Sequence, residues 1–179
     1  ICLYRMDADA TTLREIAISP GVRGARHVDQ GALRIGRDGS LFVGTFGAGL
    51  FRHRPDALQP RTWREGRDGA PGLAFEDVYT LLADGDGRVL AGSFGGGIDA
   101  IDPQGSVSAL ALPVDDATRA LLTGVLHAIR ARDGALWAAT SEGVYRWHRE
   151  RREFRYFQPD TTAGPSANPG YSYALLEDR

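Results

Sequence analysis

The stretch GTFGAGLFR, residues 44 to 52, has the glycine density of a loop that lets backbone N–H groups close around a phosphate. In detail it does not fit that chemistry. No Gly-Lys-Ser/Thr follows, and Gly47-Ala48-Gly49 lacks the third glycine of a dinucleotide fingerprint. The segment DGDGR at 84 to 88 imitates the start of a calcium loop, but the later glycine and glutamate are missing, which leaves an Asp-Gly turn. His27, His53, His127 and His148 share no ligand spacing, so no metal centre is expected. Ser93, Thr140 and Ser141 lack a nucleophile elbow, and no cofactor-binding or catalytic residue is assigned.

The glycine cluster also recurs, as GSFGGGIDA at 92 to 100 and ATSEGVYR at 139 to 146. A turn that every unit of a repeat must make would be written this way; a single ligand site would not. Three stretches superpose: DGSLFVGTFGAGLFR from Asp38, DGRVLAGSFGGGIDA from Asp86 and DGALWAATSEGVYR from Asp133, spaced by 48 and 47 residues. Each is preceded by an apolar segment (ALRIGR, VYTLLADG, VLHAIRAR) and followed by another near a proline (RTWRE, SALALP, FRYFQP). LYRMD at Leu3 falls in register with LFRHR at Leu50, and YALLED at 173 to 178 with YTLLAD at 79 to 84.

Four short segments per unit, punctuated by Asp-Gly or clustered glycines, predict a four-stranded antiparallel sheet. A repeat of about 47 residues with four strands predicts an all-β chain of β-propeller blades. The units are read as 1–24 (the end of a blade), 25–72, 73–120, 121–168 and 169–179 (the start of a blade), a partial propeller of about four blades. Along the second strand, Leu41 and Val43, Val89 and Ala91, and Leu136 and Ala138 share one sheet face, with Phe42, Leu90 and Trp137 on the other. Both faces are apolar because each blade lies between neighbours. TRALLTGVLHAI, 118 to 129, has helical spacing, but the repeat register assigns its second half to a strand and leaves a helical turn over 115 to 122. An unclosed arc exposes strand edges, so further blades at both ends or a second copy are expected to complete it.

Composition restricts the partners. In 179 residues, 42% hydrophobic and 25% charged with net charge -2 describe a globular chain. The 21 basic residues are scattered among 23 carboxylates, and this argues against nucleic acid. One cysteine, Cys2, excludes an internal disulfide. No apolar run approaches the roughly 18 residues that cross a bilayer, so membrane insertion by this segment is not expected.

The motifs DGALWAATSEGVYRW and DGSLFVGTFGAGLFR resemble the two-component regulator propeller repeat, D-G-x-L-W-V-G-T-x-x-G-G-L-Y-R-x-D followed by an aromatic strand. Three full copies and two partial ones cover nearly the whole chain. Departures are Ala139 at a glycine position, Asp99-Ala100 in place of Tyr-Arg, and Phe42 and Leu90 at the tryptophan position. The resemblance implies a periplasmic sensor region of a membrane-bound bacterial signalling protein, with a transmembrane helix and a histidine kinase or diguanylate cyclase outside this chain. It implies a non-enzymatic module whose catalytic output lies elsewhere.

If the first strand of each unit is innermost, loops between strands two and three share a channel rim with the connections between blades. Phe46, Phe94 and Glu142 occupy the former; Arg67, Asp116 and Arg119 lie in the long polar connections 64–77 and 113–122. Aromatic faces beside charged groups suit a polar small molecule such as a saccharide. Alternatives are a propeller enzyme, a lyase or glycoside-processing protein needing His, Tyr, Arg or carboxylates to converge on the channel, and a protein-binding scaffold.

Overall fold

A computed structural model of the chain describes residues 3–6, 12–16, 27–57, 59–68, 70–158 and 171–178. Strands β1 (Leu3–Met6) and β2 (Leu13–Ile16) form an antiparallel pair. Three four-stranded antiparallel sheets follow: β3 (Leu33–Ile35), β4 (Leu41–Gly44), β5 (Leu50–His53) and β6 (Arg61–Trp63); β7 (Val78–Ala83), β8 (Val89–Ser93), β9 (Gly97–Ile101) and β10 (Val107–Ala109); β11 (Val125–Arg130), β12 (Leu136–Thr140), β13 (Val144–His148) and β14 (Glu153–Phe157). Each sheet is a meander in chain order, the architecture of a propeller blade. We call them blades one, two and three.

The same turn joins the first two strands of every blade. Asp38 and Asp133 each accept the backbone N–H two residues on, at 3.0 and 2.9 Å, and the glycine after each aspartate takes φ of +75° or +84°. A left-handed glycine in that place closes the hairpin without a Cβ clash. The ambiguous segment divides as its register requires: a short helix α1 (Asp116–Leu121), capped by Asp115 accepting the Thr118 N–H at 2.7 Å, then β11.

Blades pack face to face. Phe42, Leu50 and Trp63 of blade one meet Val89, Ala91 and Ile101 of blade two. The other face of blade two, Leu90, Ile98 and Ala100, meets Leu136, Ala138 and Tyr145 of blade three. The apolar alternation on both faces of the second strand is therefore used in blade two. Glycines permit the close approach: a Cβ at Gly44 would sit 2.5 Å from Val78 Cγ1, and one at Gly92 2.7 Å from Val125 Cγ1.

The first strands form the inner edge. Arg34 of β3 donates from Nε to the Leu81 carbonyl of β7 at 2.7 Å, and Ala128 N–H of β11 reaches Thr80 Oγ1 of β7 at 3.2 Å. One blade further on, Leu175 N–H reaches His127 Nδ1 at 3.1 Å, so Thr80 and His127 play the same latching part at successive seams.

Candidate functional site

Two kinds of segment meet at one end of this inner edge. The loop between strands two and three of each blade bonds to the chain entering a first strand: Phe46 N–H to His27 O at 3.0 Å, Phe94 N–H to Asp77 O at 3.2 Å and Ser141 N–H to Gly124 O at 2.9 Å. Gly47 N–H adds a 2.6 Å bond to Asp77 Oδ1. The rim is thus built by the backbone, and the repeated position carries Phe46, Phe94 and Ser141.

Aromatic rings run along the rim. His27 stacks on Phe46 with centroids 3.8 Å apart, Phe46 meets the edge of Tyr79 at 4.2 Å, and Tyr79 lies 6.0 Å from Phe94. Phe94 stacks toward Tyr171 at 6.3 Å, and Tyr171 on Tyr173 at 5.8 Å. β7 carries a register shift between Val78 and Thr80 in its pairing with β8, and β11 has the same shift between Val125 and His127, where Leu126 takes the place of Tyr79 and is buried. Such a bulge turns one side chain out of the ladder.

Below the rings lie charged and titratable groups. Burial, then the charges of Asp77 and Asp29, push the Tyr79 hydroxyl above its ordinary value of 10.0. Burial and the nearby Arg34 guanidinium hold His127 below its ordinary 6.5, with Asp29 acting in the opposite sense. Because His127 Nδ1 accepts the Leu175 N–H, the neutral ring carries its proton on Nε2. Tyr79, His127, Arg34 and Asp29 belong to the first strands of three blades or to the turns leading into them, and Gly31, whose N–H bonds to Asp29 Oδ1 at 3.1 Å, packs against the Tyr79 carbonyl and the His127 ring. Gly31 permits this close packing, since a Cβ there would lie 3.1 Å from Tyr79 O and 3.4 Å from Thr80 Oγ1.

Of the sequence candidates, the structure links Phe46 and Phe94 through Tyr79. Glu142 is exposed one residue past the position equivalent to the two phenylalanines, and its carbonyl accepts the Tyr156 hydroxyl at 2.9 Å. Arg67 is exposed, and its carbonyl closes a turn with Ala70 N–H at 2.9 Å. Asp116 lies in the first turn of α1, and Arg119 donates to Leu112 O and Val114 O at 3.3 Å each. Tyr79, His127, Arg34 and Asp29 were not singled out by sequence. Their signal was a break within the strand-one columns: Arg34 stands where the other blades have Leu82 and Ile129, and Tyr79 where they have Gly31 and Leu126.

The opposite end is an ion-paired rim. Asp38 pairs with Arg52 at 2.6 Å, Asp84 with Arg130 at 2.8 Å, Asp86 with Arg149 at 2.9 Å and Asp133 with Arg146 at 2.5 Å. Hydrogen bonds from Ser40 and then Arg52 hold Asp38 well below the usual carboxylate range. Asp84, which opens the calcium-like DGDGR, also pairs with Arg88. Among the described residues no three His, Cys, Asp or Glu side chains are grouped to hold a metal ion, and no helix is long and apolar enough to cross a membrane.

No family model matches the sequence, and no curated protein matches it at a significant level. Solved structures do. The extracellular domain of BT4673 from B. thetaiotaomicron, assigned to a hybrid two component system, matches at TM-score 0.55 and 17% identity over 69% of this chain and 16% of its own. That of BT3049 from the same organism, likewise assigned, matches at TM-score 0.60 and 14% identity over 82% of this chain and 21% of its own. Streptogramin B lyase matches at TM-score 0.60 and 14% identity over 90% of this chain and 49% of its own. The chain thus spans between a sixth and a half of the length of these structures, and at such identities the likeness is one of fold.

Proposed function

We propose that the chain is a ligand-sensing, non-enzymatic part of a propeller in the periplasmic portion of a two-component-type signalling protein of the regulator propeller repeat family. Its ligand is a polar small molecule with a stackable face, of the saccharide class, held at the Phe46–Tyr79–Phe94 mouth. The observation that carries this reading is the run of rings from His27 to Tyr173, which crosses the seams between blades. Aromatic faces with hydroxyls and carboxylates beside them serve stacking and hydrogen bonding on one ligand. A molecule bridging a seam binds one arrangement of blades better than another, and that difference in affinity drives a distant output. Self-association or further blades complete the ring.

A second reading, a propeller enzyme, draws on the convergence of Tyr79, His127, Arg34 and Asp29. It is disfavoured by chemistry: His127 Nδ1 is committed to Leu175 N–H, which leaves the neutral ring a donor at Nε2 and without a free basic nitrogen. A saccharide panel followed by thermal unfolding tests the sensing reading. A bound sugar at 100 times its Kd stabilises by about 2.7 kcal/mol, and Tyr79→Ala is expected to abolish that gain. No shift across the panel contradicts ligand binding at the mouth; conversion of a sugar to product contradicts the non-enzymatic assignment.

A further inference from the structure

We propose that Asp77 is a positioning residue of the mouth: its carboxylate, bonded to Gly47 of the neighbouring blade, holds Phe46 against Tyr79. This rests on the reading of the mouth as a ligand site and names the residue that shapes it.

Asp77 lies half-buried in the chain entering β7, and its Oδ1 accepts the Gly47 N–H of blade one at 2.6 Å. Gly47 follows Phe46, and Tyr79 stands two residues after Asp77, so one short bond across the seam joins the two segments that carry the rings. The next seam does without it. Gly124 occupies the position of Asp77 there, and the Thr123 carbonyl accepts both the Gly95 and the Gly97 N–H, each at 2.9 Å. In blade one the same pair of N–H groups is divided, Gly49 to the Glu76 carbonyl at 3.1 Å and Gly47 to the carboxylate. A backbone carbonyl alone therefore satisfies this pair, and the carboxylate has another task. The loop differs with the acceptor, taking φ of +76° at Gly47 against +123° at Gly95. So does the ring it carries. Phe94 lies over the bare Gly124, where a Cβ would meet Phe94 Cε2 at 3.4 Å. Phe46, with Asp77 in that place, is turned instead to the edge of Tyr79, centroids 4.2 Å apart. A bond to a charged acceptor is stronger than one between neutral groups, which suits a contact that must fix a ring.

Asp77→Gly gives this seam the residue of the next one, and Asp77→Asn keeps an acceptor oxygen without the charge. Trp63→Phe is the control, since it removes the Trp63 Nε1–H bond to the Gly105 carbonyl at 2.8 Å elsewhere in the same seam. Each variant is compared with the unmodified chain by thermal unfolding, by amide exchange and by nuclear Overhauser contacts between the Phe46 and Tyr79 rings. Asp77→Gly is expected to lose those contacts and to speed exchange at Gly47 about tenfold, while Asp77→Asn and Trp63→Phe retain them. Asp77→Ala, which removes the acceptor with less backbone freedom, should give the same losses as glycine. Ring contacts that survive removal of the acceptor, or that vanish in Asp77→Asn or Trp63→Phe as well, would overturn the assignment. Glucose added to the same set separates this role from the reading of the mouth. Stabilisation that Asp77→Gly abolishes and Asp77→Asn preserves supports both, and equal stabilisation of every variant removes the role of Asp77 alone. Ring contacts that behave as expected, with no stabilisation of the unmodified chain by any saccharide, remove the ligand reading and leave Asp77 as the residue that sets the rings.

Discussion

Asp99 stands in the third strand of blade two where blades one and three place Phe51 and Tyr145. It is 3% exposed, accepts the Ala74 N–H at 2.8 Å, and is pushed up to about 6 by burial. A carboxyl raised in the folded state stabilises below its ordinary 3.8, and that contribution is lost as pH rises through about 6. Asp99→Asn keeps the acceptor without the charge, so it should stabilise by about 2 kcal/mol at alkaline pH and by little near pH 4, read by thermal unfolding at both. His127 has the opposite sign. Its depressed proton affinity means that stability falls as pH drops below 6.5, and His127→Gln, whose amide oxygen still accepts Leu175 N–H, should flatten that acid limb. Neither position was legible as a titrating group: Asp99 read as a departure from the repeat, and His127 as one of four scattered histidines.

At the level of strands and turns, the glycine clusters are joints. Gly49 takes φ of +75°, and a Cβ there would fall 2.1 Å from the Trp63 carbonyl oxygen. Gly49→Ala is expected to cost about 2–4 kcal/mol in chemical denaturation, whereas Gly85→Ala, with nothing within 4 Å, should change little. The strands, their order and both sheet faces were legible because a period of two and a turn signal were each written three times. The helical turn before β11 was legible because register overruled local spacing. What one sequence does not display is a bulge: the register shifts at Tyr79 and Leu126 depend on how β7 pairs with β8 and β11 with β12. Attention to the loops found Phe46 and Phe94 and passed over Arg34, whose charge lies inside an otherwise apolar strand.

Seen whole, three blades and the segment 171–178 place a ring-lined mouth at one end of the inner edge and an ion-paired rim at the other. The two ends differ in kind. Asp-Gly turns with arginine partners recur at one end, while the repeated loop position at the other is phenylalanine in two blades, Phe46 and Phe94, and Ser141 in the third. Propellers of sensing and of catalytic proteins share this frame, so the fold alone does not divide them. The most direct test is to map amide chemical-shift changes as a saccharide is added to the labelled chain. Changes concentrated at Phe46, Tyr79, Phe94 and His127, with Asp84, Asp86 and Arg130 unmoved, are the predicted result. Changes centred on the aspartate–arginine end, or none at the mouth, would contradict it.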